Sequence, residues 1–199
     1  MRDFEKIVRR EVKALQTHWA KRIAAALARA GVRPNTISIL SVFFAAGCGG
    51  CLVYSADTSG GMTVLLYILA VVMMQFRLLC NLFDGMVAVE GGLKTRSGGI
   101  FNDLPDRIAD PLIIVSAGYA IRSMPYGVEI GWLAGILAVL TAYVRVLGGA
   151  AGATQYFSGP MAKQHRMAVM TVALISAAIG VKWNWHEWAM VVALVVIAL

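Results

Sequence analysis

Residues 62–89 read MTVLLYILAVVMMQFRLLCNLFDGMVAV, from Met62 to Val89. About fifteen residues pass before the first charge, Arg77, and about twenty before Asn81 and Asp84. At about 1.5 Å per residue that stretch spans about 30 Å, the thickness of a bilayer's hydrocarbon core, so it reads as a membrane helix with Asn81 and Asp84 at its far edge. The composition extends this reading outward. The chain has 199 residues, 59% of them hydrophobic, and a mean hydropathy of +0.70. That is too apolar for a soluble domain of this size.

Five further apolar segments have similar character: approximately Thr36 to Tyr54, Gly99 to Ile121, Val128 to Gly149, Arg166 to Val181, and Trp185 to Leu199. The expected fold is therefore an all-α integral membrane protein with six transmembrane helices. An N-terminal unit, residues 1–33, precedes the membrane unit, residues 34–199. From Asp3 to Ala30, apolar Phe4, Ile7, Val8, Val12, Leu15, Trp19, Ile23 and Leu27 recur at helical spacing among Lys and Arg. This predicts an amphipathic juxtamembrane helix lying on the bilayer surface. Gly31 stops it, and Pro34 followed by Asn35 and Thr36 opens the next helix.

The formal charge is +7, and nine of the eighteen Lys and Arg lie between Arg2 and Arg33. Without interleaved aromatic stacking, such an arm fits anionic lipid better than nucleic acid. The first thirty residues hold no continuous apolar stretch of the kind a cleavable signal peptide needs. The basic asymmetry predicts a cytoplasmic N-terminus, with the loops around Lys94–Arg96 and Lys163–Arg166 on the same side. Cys48 and Cys51 read as small residues for helix packing rather than as a redox pair. The final apolar run is still unbroken at Leu199, which leaves room for a further C-terminal tail.

Four of the chain's eleven acidic residues are the aspartates Asp84, Asp103, Asp106 and Asp110, all between Asn81 and Asp110. Asn81, Asp84 and Ala88 are spaced i, i+3, i+7, and Asn102, Asp106 and Asp110 are spaced i, i+4, i+8; each set shares a helix face. Asp103 is turned about 100° away. Taken singly, each residue reads as a helix cap or as a partner for Arg77, Arg96 or Arg107. Six such residues in thirty positions, all oxygen donors beside glycines, point to a hard divalent cation, Mg²⁺ or Mn²⁺. Carboxylates at membrane depth are costly and mark function. An ion path would place them near the midplane, whereas these cluster at one edge.

The same stretch resembles the signature of the CDP-alcohol phosphotransferase family, D-x2-D-G-x2-A-R-x8-G-x3-D-x3-D. Here it runs Asn81-x2-Asp84-Gly85-x2-Ala88-Val89-x8-Gly98-x3-Asn102-x3-Asp106, with every spacing kept. The Pro34-Asn35-Thr36 opening, Tyr143-x-Arg145, and Gly159-Pro-Met-Ala-Lys163-Gln-His-Arg166 also resemble family segments, so the likeness covers nearly the whole chain. It implies a bacterial inner-membrane enzyme, active on the cytoplasmic side. Such an enzyme transfers a phosphatidyl group from CDP-diacylglycerol to a small alcohol or alcohol phosphate, releases CMP, and works as a homodimer.

The resemblance further implies metal ligands at Asn81, Asp84, Asn102 and Asp106, with Asp103 or Asp110 supplying charge lost at the two asparagines. Asp106 would be the base that deprotonates the acceptor. Asn35, Gly85, Ala88 and Gly98 would lie against the donor nucleotide, and Arg145, Lys163 and Arg166 against an acceptor phosphate. Three positions depart from the pattern: Asn81, Asn102 and Val89, the last in place of Arg. The departures keep a second expectation in view, a catalytically silent relative serving as a scaffold or lipid-binding subunit.

Overall fold

The computed structural model describes residues 17–92, 98–152 and 163–199; at positions 90, 98–102, 163 and 164 it describes the backbone alone. Seven α-helices follow one another: α1 His18–Arg29, α2 Pro34–Ser55, α3 Gly61–Glu90, α4 Gly98–Tyr119, α5 Gly127–Ala150, α6 Lys163–Gly180 and α7 His186–Ala198. Among the described residues there is no strand.

Helices α2 to α7 coincide with the six apolar segments to within a few residues, but they are not equivalent. Four are long and apolar enough to cross a membrane: Pro34–Ser55, Gly61–Val89, Gly127–Ala150 and His165–Trp183. Helix α7, at 13 residues, reaches only about 20 Å. Helix α4 matches α2 in length but carries Asp103, Asp106, Arg107 and Asp110, with Pro105 and Pro111 inside it. Both prolines remove an intrahelical donor, yet the helix runs on through them. The six-span expectation thus resolves into four qualifying helices, one charged helix and one short one.

Of the expected N-terminal amphipathic helix, residues 3–16 lie outside the described residues. From His18 the chain is helical, with Ala20 and Ala24 buried and His18, Trp19, Lys21 and Arg22 exposed. Gly31 follows at φ +75°, a left-handed turn that glycine adopts without strain. The segment read as a Lys163–Arg166 loop is instead the first turn of α6.

Contacts near helix ends give the directions: Ser38 of α2 meets Asp84 of α3, Asp57 after α2 meets Arg122 after α4, and Ser123 meets Glu187 of α7, so helix ends gather at two opposite ends of the bundle. Helix α2 packs against both α3 and α4; α4 packs on α5, α3 on α6, and α6 and α5 on α7. Met74, Ile113, Ile114, Met170, Leu174 and Leu194 fill the interior. Where α4 crosses α5, a Cβ added to Gly131 would lie 2.8 Å from the Gly118 Cα, so the two backbones touch only because both residues are glycine. Phe43, Leu65, Ile68, Leu140, Val144 and Val172 face outward, an apolar periphery suited to lipid rather than water. Exposed Trp132, Trp183, Trp185 and Trp188 stand near one end, as interfacial tryptophans do. The opposite end holds the buried charges.

Candidate functional site

Helix α3 delivers Arg77, Asn81, Asp84 and Ala88 on one face, and α4 delivers Asp106 and Asp110 one turn apart. Asp84 is buried, and both carboxylate oxygens are engaged: Ser38 Oγ of α2 donates to Oδ2 at 2.8 Å, and the Gly85 backbone N–H donates to Oδ1 at 2.6 Å. The Ser38 hydroxyl also lies 3.2 Å from the Pro34 carbonyl, but its single proton favours the shorter, charged acceptor. Asn81 and Ala88 are partly buried beside it, as are Gly85 and, on α2, Asn35. A Cβ built on Gly85 would meet no described atom within 4 Å, so no packing among the described residues demands glycine there.

On α4, Asp106 and Asp110 are both buried, and Arg77 reaches both. Arg77 Nη2 donates to Asp106 Oδ1 at 2.7 Å and also to Asp110 Oδ1. The arginine side chain has no exposed surface, and its Nε and Nη1 donate to nothing among the described residues. Asp106 and Asp110 therefore share the Arg77 guanidinium, while Asp84, on α3, is held by Ser38 and the Gly85 backbone.

Asp103 behaves differently. Arg107, one turn along α4, donates to both its oxygens at 2.7 and 2.9 Å, and the Asp103 side chain is half exposed. The side-chain surroundings of Gly98, Asn102 and Lys163 lie outside the described residues, although their backbones are helical. The arrangement brings Asp106 and Asp110 together with Arg77 and leaves Asp103 on an outer face.

Two basic residues join from α5 and α6. Arg166 is buried, donating from Nη1 to the Ala138 carbonyl at 3.0 Å and from Nη2 to Thr141 Oγ1. It lies within electrostatic reach of Asp110, Arg145 and Arg107. Arg166 thus stands as a second buried guanidinium near Asp110.

The donors near Asp84 and Asp106 are all oxygens, which fits Mg²⁺ or Mn²⁺ in kind. In arrangement the site is held by ion pairs: among the described residues no three His, Cys, Asp or Glu side chains gather as a metal-binding group. A cation would share Asp106 with Arg77 and take Asp84 from Ser38 or beside it. Asn81, on the same α3 face, adds an amide oxygen.

Ser38 and the double role of Arg77 were not legible beforehand. Ser38 is a serine in an apolar helix opened by a proline, a weak signal. Arg77 gave a stronger one, as the lone charge within an apolar run of α3, but the run does not say which carboxylates it meets. The three cysteines are free thiols within α2 and α3, Cys48 and Cys80 buried and Cys51 partly so, in keeping with a packing role.

Compared with protein-family models and with curated proteins, the chain matches none. The chain is an all-helical protein with several membrane-length apolar helices and a buried carboxylate–guanidinium cluster at one end.

Proposed function

We propose that this chain is an integral membrane enzyme of the CDP-alcohol phosphotransferase type. It transfers a phosphatidyl group from CDP-diacylglycerol to a small alcohol or alcohol phosphate and releases CMP. The observation that carries the reading is the burial of Asp84 and Asp106, the two signature carboxylates retained in this sequence, at one end of an apolar bundle. Buried carboxylates in such a setting are costly and are kept where they act. No described atom lies over Gly85, which leaves room for a nucleotide, and Arg166 near Asp110 adds attraction for phosphate.

In the reaction the acceptor hydroxyl oxygen forms a bond to the phosphatidyl phosphorus as the bond from that phosphorus to the CMP oxygen breaks. Asp106 takes the hydroxyl proton, a role that needs a positioned carboxylate within hydrogen-bond reach of the acceptor. Asp84, Asp106 and Asn81, with Asn102 by the resemblance, would hold Mg²⁺ or Mn²⁺, which supplies positive charge against the diphosphate. Arg145 and Arg166 would bind a phosphate on the acceptor. Apolar helices around the site keep the diacylglycerol chains in lipid and admit the polar substrates from one end.

The same reading includes six spans, a homodimer, and residence in a bacterial inner membrane with the N-terminus and the site facing the cytoplasm. Nine basic residues before Pro34 support that orientation. The test is direct. Purified protein, CDP-diacylglycerol, Mg²⁺ and a mixture of alcohols are incubated, and lipid products and CMP are read by mass spectrometry. A phosphatidyl-alcohol formed with equimolar CMP supports the reading; unchanged donor with every alcohol rejects it.

One observation favours a second reading, a silent relative acting as a scaffold or lipid-binding subunit. Arg77 neutralises part of the acidic cluster, and a cluster balanced without metal is what a structural site would show. In that case CDP-diacylglycerol binds without turnover, and Asp106→Asn leaves its binding unchanged.

A further inference from the structure

Arg77 and Asp110 stand outside the signature, and the transfer chemistry above assigns neither of them a task. Yet they form a buried ion pair. One Nη2 reaches Asp106 on one side and Asp110 on the other. Helices α3 and α4 both pack against α2 and touch one another little, so the arms carrying the two halves of the signature are linked across the interior by this guanidinium. A buried arginine whose Nε and Nη1 find no partner among the described residues loses stability relative to a well-packed apolar side chain. Packing alone therefore does not account for it.

Register strengthens the point. In antiparallel neighbours, a turn toward the end of α3 matches a turn toward the start of α4. With Arg77 level with Asp106 and Asp110, Asn81 and Asp84 stand level with the first turns of α4, near residues 101–104. A shift of α4 by one turn, about 5.4 Å, would carry one of the two carboxylates away from Arg77 and move Asp106 along the α3 arm.

We propose that Arg77 is a positioning residue: it fixes Asp106, through a hydrogen bond shared with Asp110, in register with the α3 arm that carries Asn81 and Asp84. This rests on the transfer reading, and it adds that the base owes its place to an arginine outside the signature. Asp110 is the second anchor that keeps the guanidinium from swinging away from Asp106.

The experiment compares wild type, Arg77→Met, Arg77→Lys, and the double variant Arg77→Met/Asp110→Asn. All are purified in detergent and checked for helicity and a single gel-filtration peak. CMP release is measured against CDP-diacylglycerol concentration with Mg²⁺ and the acceptor that wild type uses. For Arg77→Met, kcat falls about a hundredfold while the donor KM changes less than about threefold, as for a misplaced catalytic group. Arg77→Lys regains about tenfold of that loss, because an ammonium restores one charge and donor without the planar fork. The double variant, which removes one buried charge of each sign, stays as slow as Arg77→Met because Asp106 still lacks the guanidinium that places it.

Wild-type kcat in Arg77→Met overturns the proposal, as does recovery of wild-type kcat in the double variant, which would make Arg77 a mere counter-ion for Asp110. A loss confined to KM overturns it too. Where Arg77→Met does not fold, the charge-balanced double variant decides alone: slow supports the proposal, fast rejects it. Absence of CMP release by wild type rejects the transfer reading itself, and so is distinct from any pattern among the variants.

Discussion

The two ends of the bundle carry the same chemical pair in opposite settings. At one end Arg77 binds Asp106 and Asp110 with 0% and 7% of the side chains exposed. At the other, Arg122 Nη2 meets Asp57 Oδ1 at 2.8 Å with more than half of each side chain exposed. An exposed pair contributes about 0.2–1 kcal/mol, since water screens it and both side chains lose freedom. A buried pair is different: its net worth is small, but removing one partner costs about 3–5 kcal/mol because the other is stranded. Glu187, accepting from the Ser123 backbone N–H at 2.8 Å, belongs with the exposed kind and ties α7 to the loop after α4. One end holds the molecule together at its surface; the other concentrates charge where it is costly.

If that contrast reflects function, perturbations at the two ends should differ in kind. The largest effect is expected at Asp84. Asp84→Ala in folded protein, or wild type in excess EDTA, should release no measurable CMP, and added Mg²⁺ should restore only the wild type. Full turnover in EDTA would remove the cation from the reading.

Next comes Asp106→Asn, which keeps shape and one oxygen but lacks the basic site. CMP release should fall at least about a hundredfold, the lower range for losing a positioned base. A near-normal rate would move that role to a neighbouring carboxylate.

The third effect concerns stability rather than rate. In matched detergent unfolding curves, Arg77→Met should lose about 3–5 kcal/mol, whereas Arg122→Ala should lose less than about 1 kcal/mol. Equal losses would erase the distinction between the two ends.

The smallest effect is expected at Asp103. Because Arg107 holds it on a half-exposed face, Asp103→Asn should leave the Mg²⁺ concentration for half-maximal activity within about twofold of wild type, as for a screened surface charge. A large shift would bring Asp103 back into the cation site and revive its role as compensation for Asn81 and Asn102.

Asp110 illustrates the difference between reading residues and reading partners. By sequence it shares a face with Asn102 and Asp106, and it stands as a source of the charge missing at the asparagines. In the folded chain its charge is met by Arg77, so little of it is left for a metal. The i, i+4, i+8 spacing was correct about the face and silent about the neighbour. Ser38 makes the same point from the other direction, since nothing in an apolar helix singles out one serine as the donor to Asp84.

What the sequence by itself determined is local and periodic. The apolar runs located six of the seven helices, Gly31 and Pro34 marked the break before α2, and the 3.6-residue repeat put Asn81 with Asp84 and Asp106 with Asp110. Hydrophobicity and backbone propensity act over a few turns, so a linear reading captures them. Only the tertiary structure decided which charges meet. Ser38 reaches Asp84 across 46 residues, and Arg77 reaches Asp106 and Asp110 across 29 and 33. Those meetings depend on the rotation and register of α2, α3 and α4, which are set by how their side chains interlock, for example where Gly49 lets α2 close on Ser116 of α4. An error of one residue in register turns a helix by about 100° and would carry any of these groups out of reach.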